Sequence, residues 1–419
     1  MLIRPTKRTI SMKIQYISAK PVIILIAGCM IALIGFGVRS TLGLFLQPMT
    51  LDLGLDRQTF ALALAIQNLL WGCMLPIAGG LADRFGPRWV IASGAFMYAL
   101  GTWGMAISTN SLELQLTAGF LMGIGIAFTA FSLAMATMAK AVGPEKRSLT
   151  LGLGTAAGSA GQVIFSPIGF GFISAFGWEL ALIILSVIVS LIAGFAFLLP
   201  KNPTARGEGE TNQSLINALF EAANHKGFIL LGIGFFVCGF QIAFITVHFP
   251  SYIIDLGLPG HVGAFCIALV GLFNIAGSFL AGVIGQVHSK KISLANLYFF
   301  RSLIILGLLF FPKSEPNLYI FSAAMGLLWL ATVPLTTALI AQVFGPRYMA
   351  TLFGIVFFCH QLGSFLGVWL GGYIYDSTGS YDMVWWLCIT FGLIATFLHM
   401  IIDEKPLPRI LKSPIIDQY

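Results

Sequence analysis

Apolar runs of about twenty residues recur along the whole chain, and they limit its fold more than any other feature. A run of this length crosses the roughly 30 Å hydrocarbon core of a membrane as an α-helix. Of the 419 residues, 58% are hydrophobic and 9% are charged, whereas a soluble domain carries about 25% charged residues. The chain is therefore predicted to be an all-α membrane protein.

Twelve of these runs are predicted to be transmembrane helices, numbered 1 to 12, which leaves almost no chain for a soluble domain. They cover residues 21–47, 58–82, 89–108, 112–138, 148–173, 178–199, 227–252, 261–286, 292–312, 317–342, 348–374 and 382–402. The first run follows a basic start, but it is longer than the roughly 7–15 apolar residues of a signal peptide, so it is interpreted as a retained helix. The six cysteines fall within the runs without metal spacing and are interpreted as packing residues.

The basic residues predict the orientation of the chain. With the N-terminus in the cytoplasm, the cytoplasmic segments hold 19 of the 23 Lys and Arg residues, and only Arg57 and Lys313 fall in external loops. This positive-inside bias predicts a protein of the cell (inner) membrane with both termini cytoplasmic. The net charge of +7 is attributed to this topology and not to nucleic-acid binding.

The two halves of the chain are related by one offset. The polar linker 200–226 separates an N-terminal half, 1–199, from a C-terminal half, 227–419. An offset of 202 residues relates Gly37 to Gly239, Pro48 to Pro250, Gly80 to Gly282, Gly143 to Gly345, Pro144 to Pro346 and Gly177 to Gly379. Two six-helix bundles in the same topology form a parallel repeat, which predicts a substrate site near the membrane midplane between them.

The charged turn between helices 2 and 3 carries a family resemblance. Its sequence, GGLADRFGPR, resembles the signature loop Gly-x-Leu-x-Asp-Arg-x-Gly-x-Arg of the major facilitator superfamily. The twelve-helix layout, the central linker and the repeat are similar to that superfamily over essentially the whole chain. The resemblance implies a secondary transporter with two pseudo-symmetric six-helix bundles.

The signature loop is expected to act as a cytoplasmic latch. Gly80 would let two helices approach closely, and Asp83 would face the positive N-terminal end of helix 11, which the resemblance names as its neighbour. In the second half Gly285 stands where Asp83 stands in the first, so a latch with one intact copy is hypothesised to control the two halves asymmetrically. The predicted latch residues are Gly80, Asp83, Arg84, Gly86 and Arg88.

Arg39 is the leading candidate for substrate contact. All sixteen acidic residues fall in loops or at helix ends, so no buried carboxylate is available as a proton site. Arg39 lies about 12 Å below the outer end of helix 1, and the offset relates it to Gln241 on helix 7. An ionised group at this depth is functional by default, and a guanidinium can bind a carboxylate through two parallel hydrogen bonds. The alternative is an arginine that extends to the interface or pairs with a backbone carbonyl.

Three further ionisable residues are proton-coupling candidates: His360, His248 and Arg301. Histidine titrates near neutral pH and can carry a proton, although a lone membrane histidine is often a packing residue. Arg301, near the middle of helix 9, is interpreted as either a structural hydrogen-bond donor or a functional group.

Polar and aromatic residues on helices 2, 8 and 10 are candidates for the rest of the site. Trp329, Thr332 and Thr336 share one stripe of helix 10, and Pro334 is expected to break that helix locally. Helix packing explains such stripes equally well. The predicted substrate-binding residues are Arg39, Gln67, Asn68, Gln241, Asn274, Trp329, Thr332, His360 and Gln361.

Within the superfamily, the segment GFGVRSTLGLFLQPM is similar to the monocarboxylate-transporter and oxalate/formate-antiporter branch. Arg39 occupies the place of a basic residue near the end of helix 1 in animal members of that branch. Their aspartate and arginine one turn apart on helix 8 are replaced by Asn274 and Ser278, a departure that bears on the substrate.

The sequence as a whole predicts a transporter of a small organic anion, a monocarboxylate, that works by alternating access with the proton as a candidate coupling ion. An exporter of drugs or amphipathic metabolites in the same superfamily is the alternative. No catalytic constellation or Walker loop is present, so an enzyme is not expected. A monomer in the lipid bilayer is expected, without cofactor, metal or nucleic acid.

Overall fold

The computed structural model describes residues 21–142, 146–201, 213–345 and 347–411, and this part of the chain is helical with no β-strand. The basic start, both chain ends, residues 202–212 of the linker and three repeat positions (Gly143, Pro144 and Pro346) lie outside the described residues, so the predictions that rest on them stay predictions. Within these described ranges, ten helical stretches are long and apolar enough to cross a membrane.

The described residues form twelve membrane helices, because one of these stretches contains two helices and a further helix, Pro87–Ala106, has a lower mean hydropathy than the ten stretches. Arg147–Ala196 has 50 residues, which as a straight helix would span about 75 Å, and it bends at Gly177. The helices are α1 (Pro21–Leu53), α2 (Arg57–Phe85), α3 (Pro87–Ala106), α4 (Ser111–Lys140), α5 and α6 (147–176 and 178–196), α7 (Lys226–Asp255), α8 (Gly260–Val287), α9 (Lys290–Phe310), α10 (Glu315–Phe344), α11 (Met349–Thr378) and α12 (Asp382–Met400).

The predicted repeat has a counterpart in the backbone. Gly177 has φ 79° and Gly379 has φ 73°, a conformation that residues with a side chain rarely adopt. Each ends the fifth helix of its half, where the chain turns into the sixth. Gly37 of α1 lies against Gly161 of α5, and Gly239 of α7 lies against the carbonyl of His360 on α11. The first and fifth helices of each half therefore pack through the same glycine position.

Two of the membrane helices are interrupted within their length. In α4 the chain leaves helical geometry at Ala130 (φ −51°, ψ 136°) before the segment Phe131–Lys140. In α10 the first part ends at Leu328 and the second part begins at Thr332. Pro334 explains the break in α10, because proline cannot donate to the carbonyl four residues earlier and its ring clashes with it.

The two halves meet at the end of the molecule where α2 begins, called here the Arg57 end. Arg57 donates two hydrogen bonds to Asp255 of α7, at 2.6 and 2.7 Å. The described hydrogen bonds, ion pairs and aromatic contacts between the halves all lie between this end and the membrane midplane. At the opposite end, called the Asp83 end, Gly80, Gly282 and Gly354 have no atom within 4 Å of the position a Cβ would take. The molecule is closed at the Arg57 end and parted at the Asp83 end.

The latch residues therefore differ from expectation in this conformation. Gly80 borders open space instead of a neighbouring helix. Asp83 forms an exposed ion pair with Lys140 of α4, at 3.2 Å, and not a contact with the start of α11. Arg88 donates to the carbonyl of Leu199. Since the halves are parted at this end, the loop makes its contacts within the N-terminal half.

Candidate functional site: an arginine at membrane depth

Arg39 is the centre of a small polar cluster inside the N-terminal half. Its Nη2 donates to Asn68 Oδ1 at 2.6 Å, and its guanidinium carbon lies 4.7 Å from the centre of the Trp71 ring, a cation–π distance. Asn68 is held in turn by its own bond to the Leu64 carbonyl on α2. The Nε atom of Arg39 is buried and has no hydrogen-bond partner. Arg39 therefore has one hydrogen-bond donor without a partner at membrane depth.

A void of about 20 Å³ lies beside this guanidinium, large enough for about one water molecule. α1 contributes Gly35 and Arg39 to its lining, α3 contributes Tyr98, and the break of α4 contributes Ala130 and Phe131. Tyr98 is wholly buried, and its hydroxyl donates to the carbonyl of Gly35. None of the described acidic side chains forms an ion pair with Arg39, so this positive charge has no fixed counter-ion.

Arg301 occupies a different environment inside the C-terminal half. Its side chain is completely buried. It donates to the carbonyl of Leu328, at 2.6 Å from Nη2 and 3.2 Å from Nε, and also to the carbonyl of Trp329. Its Nη1 lies 3.3 Å from the Cys238 sulfur and 3.5 Å from Gln241 Oε1. The guanidinium thus satisfies the carbonyls that the break of α10 leaves free, which favours its structural role.

The structure separates Gln241 from Arg39, although the repeat relates the two positions. Gln241 is fully buried, and its Nε2 donates to the carbonyl of Cys388 on α12 at 2.8 Å. Trp329 and Thr332 are likewise buried in the C-terminal half, beside Arg301 and Cys238. These three predicted site residues therefore belong to the Arg301 cluster and have no described contact with Arg39.

Asn274 joins the two halves. Its Nδ2 donates to Ser159 Oγ on α5 at 2.9 Å, and its Oδ1 accepts from the backbone N–H of Leu330 in the break of α10. Gln67 lies elsewhere, since its Nε2 donates to the carbonyl of Ala118 on α4. Asn274 is thus an interface residue, and Gln67 holds α2 to α4.

His360 and Gln361 lie at the interface near the midplane. His360 is buried, with 8% of the residue exposed, and its ring stacks on Phe357 with centroids 5.6 Å apart. Phe357 contacts Trp71 edge-to-face at 5.4 Å, and Trp71 faces Arg39. Side-chain carbons of Gln361 lie against Gly72 of α2. A chain of ring contacts therefore connects His360 with Arg39 across the two halves.

His248 belongs to the closure at the Arg57 end. It is fully buried, with one ring nitrogen 3.1 Å from the Tyr381 hydroxyl and the other 2.8 Å from the carbonyl of Val368. The same hydroxyl accepts a hydrogen bond from Arg57. The Asp376 carboxylate accepts from the backbone N–H groups of Arg57 and Gln58, the first residues of α2. This network is not predicted by the sequence, in which its only signal is the set of charges at the outer helix ends.

The sequence is similar to those of known membrane transporters. The sequence profile of the Major Facilitator Superfamily matches residues 28–368 and, in a second match, 302–414. An uncharacterized MFS-type transporter of Bacillus subtilis, YcxA, is 26% identical over 371 residues, which cover 87% of this chain and 90% of that protein. Monocarboxylate transporter 13 of Bos taurus is 24% identical over 342 residues, or 79% of this chain and 78% of that protein.

Two further similarities come from a fungal protein and a solved structure. The agnestins efflux protein of Paecilomyces divaricatus is 27% identical over 311 residues, which cover 73% of this chain and 69% of that protein. A bacterial homolog of the human lysosomal transporter Spinster, solved in an inward-facing and occupied conformation, matches with a TM-score of 0.74 at 14% identity. This match covers 93% of the chain and 99% of that structure and concerns the fold alone.

Proposed function

The chain belongs to the Major Facilitator Superfamily of transporters, and on that premise we propose that it carries a small organic anion, a monocarboxylate, across the membrane by alternating access. Arg39 binds the carboxylate in this proposal, with Asn68 and Trp71 holding the guanidinium in place. The similarity to monocarboxylate transporter 13 supports the substrate class.

The observation that carries the proposal is the unpaired charge of Arg39. Its guanidinium has one side-chain hydrogen bond, a buried Nε without a partner and no ion pair with a described acid. Its Nε is buried although the residue as a whole is half-buried, and a charge at membrane depth without a counter-ion is costly unless a ligand supplies one. A carboxylate supplies two acceptor oxygens and the missing negative charge.

The closed Arg57 end and the parted Asp83 end support alternating access. Basic residues concentrate at the Asp83 end, which by the positive-inside rule faces the cytoplasm. They include Arg84, Arg88, Lys140, Lys226, Lys290, Lys291, Lys405 and Arg409. In this proposal the described conformation is inward-facing, and the contacts of Arg57 form the external gate.

His360 is the proposed proton carrier. Among the described histidines, it is the one that ring contacts connect with Arg39, through Phe357 and Trp71. His248 hydrogen-bonds to Tyr381 and Val368 at the Arg57 end. Arg301 donates to the backbone carbonyls of Leu328 and Trp329. A proton on His360 together with an anion on Arg39 would move as a neutral pair, which makes the transporter a symporter.

Uptake into proteoliposomes tests the proposal. A panel of labelled lactate, pyruvate, benzoate, succinate and oxalate is offered with and without an inward proton gradient. We expect uptake of monocarboxylates, faster with the gradient, and its loss in both Arg39→Ala and Arg39→Gln. Normal uptake in Arg39→Gln with none in Arg39→Ala would contradict charge pairing, since glutamine keeps hydrogen bonding without the charge.

Export of an amphipathic metabolite is the second candidate, favoured by the similarity to the agnestins efflux protein. Thermal-shift screening of the purified protein separates the two functions. Stabilisation by small carboxylates, lost in Arg39→Gln, supports the anion transporter. Stabilisation by uncharged lipophilic compounds, unchanged in that variant, supports the exporter.

A further inference from the structure

Both halves interrupt their fourth helix at equivalent places. The offset of 202 residues relates Thr129, in the break of α4, to Ala331, in the break of α10. Both breaks lie at membrane depth, where free backbone groups are costly unless protein, water or ligand satisfies them. The two breaks can therefore be compared group by group.

In the C-terminal half the protein itself satisfies the break. Arg301 donates to the carbonyls of Leu328 and Trp329. The N–H of Leu330 donates to Asn274 Oδ1 at 2.9 Å. The guanidinium here is bound to backbone, and little of it remains available for a ligand.

In the N-terminal half the break leaves other groups without a described hydrogen bond, namely N–H groups at the start of its second helical segment. The ten-residue helix Phe131–Lys140 begins at the break, and the carbonyl of Ala130 accepts from Leu133 and Ala134. The hydrogen bonds found in the described residues include none from the N–H groups of Phe131 or Ser132. The first N–H groups of a helix have no partner within the helix and attract an anion.

Arg39, which has one free donor, lines the same void as this helix start. Arg39, Ala130 and Phe131 all line it, and the Nε of Arg39 is buried without a partner. The void of about 20 Å³ has room for an oxygen atom of about the size of a water molecule. A guanidinium with a free donor and the first residue of a helical segment therefore border the same space, which is the size of one acceptor atom.

We propose that the substrate carboxylate is held from two sides, by the guanidinium of Arg39 and by the N–H group of Phe131 at the break of α4. This inference rests on the proposed function and names the second half of its binding site. The break of α4 then acts as a specificity element, because the Phe131 N–H and the Arg39 charge favour an anion over a neutral or cationic group. The break of α10 has no such role, since Arg301 and Asn274 already satisfy it.

Two substitutions at Phe131 isolate the backbone donor. Phe131→Ala removes the ring and keeps the N–H, whereas Phe131→Pro removes both. Proline is tolerated at the first position of a helix, and Ala130, with φ −51° and ψ 136°, already has the extended conformation required of a residue before proline. Binding of labelled lactate, pyruvate and benzoate to the full-length protein is measured for both variants. Because a hydrogen bond to a charged group is strong, we expect affinity about 10-fold lower in Phe131→Pro than in Phe131→Ala.

Equal affinities in the two variants, with binding still weakened in Arg39→Gln, would overturn this inference and leave the proposed function intact. Failure of the wild type to bind any of the carboxylates would overturn the proposed function itself. Hydrogen–deuterium exchange of the wild type gives a test that does not depend on folding of a variant. Saturating carboxylate should slow exchange at Phe131, and unchanged exchange there would also overturn the inference.

Discussion

At the residue scale, the two arginines at membrane depth differ in how many of their donors already have partners. Arg301 makes hydrogen bonds to two backbone carbonyls and approaches Cys238 and Gln241. Arg39 makes one side-chain hydrogen bond and keeps Nε free. Both were candidates for function from the sequence, because a sequence shows the charge of a residue but not the partners of its donors.

Arg301→Gln is expected to destabilise the protein without changing its substrate affinity. The substitution leaves the carbonyls of Leu328 and Trp329 without their donor, at a cost of about 1–3 kcal/mol for each buried group. The thermal unfolding midpoint in detergent should fall well below that of wild type and of Arg39→Gln. Wild-type stability combined with lost carboxylate binding would instead make Arg301 a binding residue.

At the element scale, the two helix breaks were not equally predictable. Pro334 signals the break in α10 through its missing N–H and its clash with an earlier carbonyl. No proline lies in the segment GIGIAFTAFSLAM around the break of α4. The Thr129 hydroxyl does bond back to the carbonyl of Gly125, but threonine does so in many unbroken helices. Hydropathy predicts the helix bounds within about four residues, except the end of α1, which lies at Leu53 and not at residue 47, whereas this break depends on how the helices pack.

The linker helix Leu215–Asn224 gives a prediction for pH. Arg409 donates to both carboxylate oxygens of Glu221, at 2.7 to 3.0 Å. Burial opposes ionisation of Glu221, but the hydrogen bonds from Arg409 and Gln213 outweigh it and hold the pKa of this carboxyl below its ordinary value. Because the pKa of Glu221 is lowered in the folded protein, ionised Glu221 stabilises the docked helix at pH values above the ordinary glutamate pKa of about 4.3. This stabilisation is lost as the pH falls through the lower pKa that Glu221 has in the folded protein.

Hydrogen–deuterium exchange of residues 215–224 measures this docking. Protection should be constant from about pH 7 to about pH 5 and fall at lower pH in the wild type. Glu221→Gln should not show this loss of protection at low pH. An equal loss of protection at low pH in that variant would assign the effect to another group.

At the scale of the whole molecule, the repeat and the twelve helices were predictable, but the contacts between the halves were not. Arg57 and Asp255 are 198 residues apart, and nothing local in either segment indicates that they pair. The predicted contact of Asp83 with α11 depends on the conformation, because the halves are parted at that end. A repeat in sequence predicts two equivalent bundles, but the packing between them sets which end is closed.

Arg57→Ala is expected to shift the molecule towards opening at the Arg57 end. The substitution removes the paired hydrogen bonds to Asp255 and the stacking of the guanidinium 3.7 Å from the Tyr375 ring centre. Spin labels at Ser111→Cys and Ser314→Cys, both exposed at this end in different halves, report the change in a background without other cysteines. Double electron–electron resonance should show a larger population of long distances than in the Arg57→Lys control, which keeps the charge. Identical distance distributions in the two variants would show that Arg57 does not hold this end closed.

The central claim is that Arg39 recognises its substrate by charge. Its most direct test is equilibrium binding of benzoate and of its neutral amide, benzamide, to the wild type and to Arg39→Gln. We predict that the wild type prefers benzoate and that the variant loses at least about 10-fold of this preference, with benzamide binding unchanged. A preference for benzoate that survives in Arg39→Gln would contradict the account.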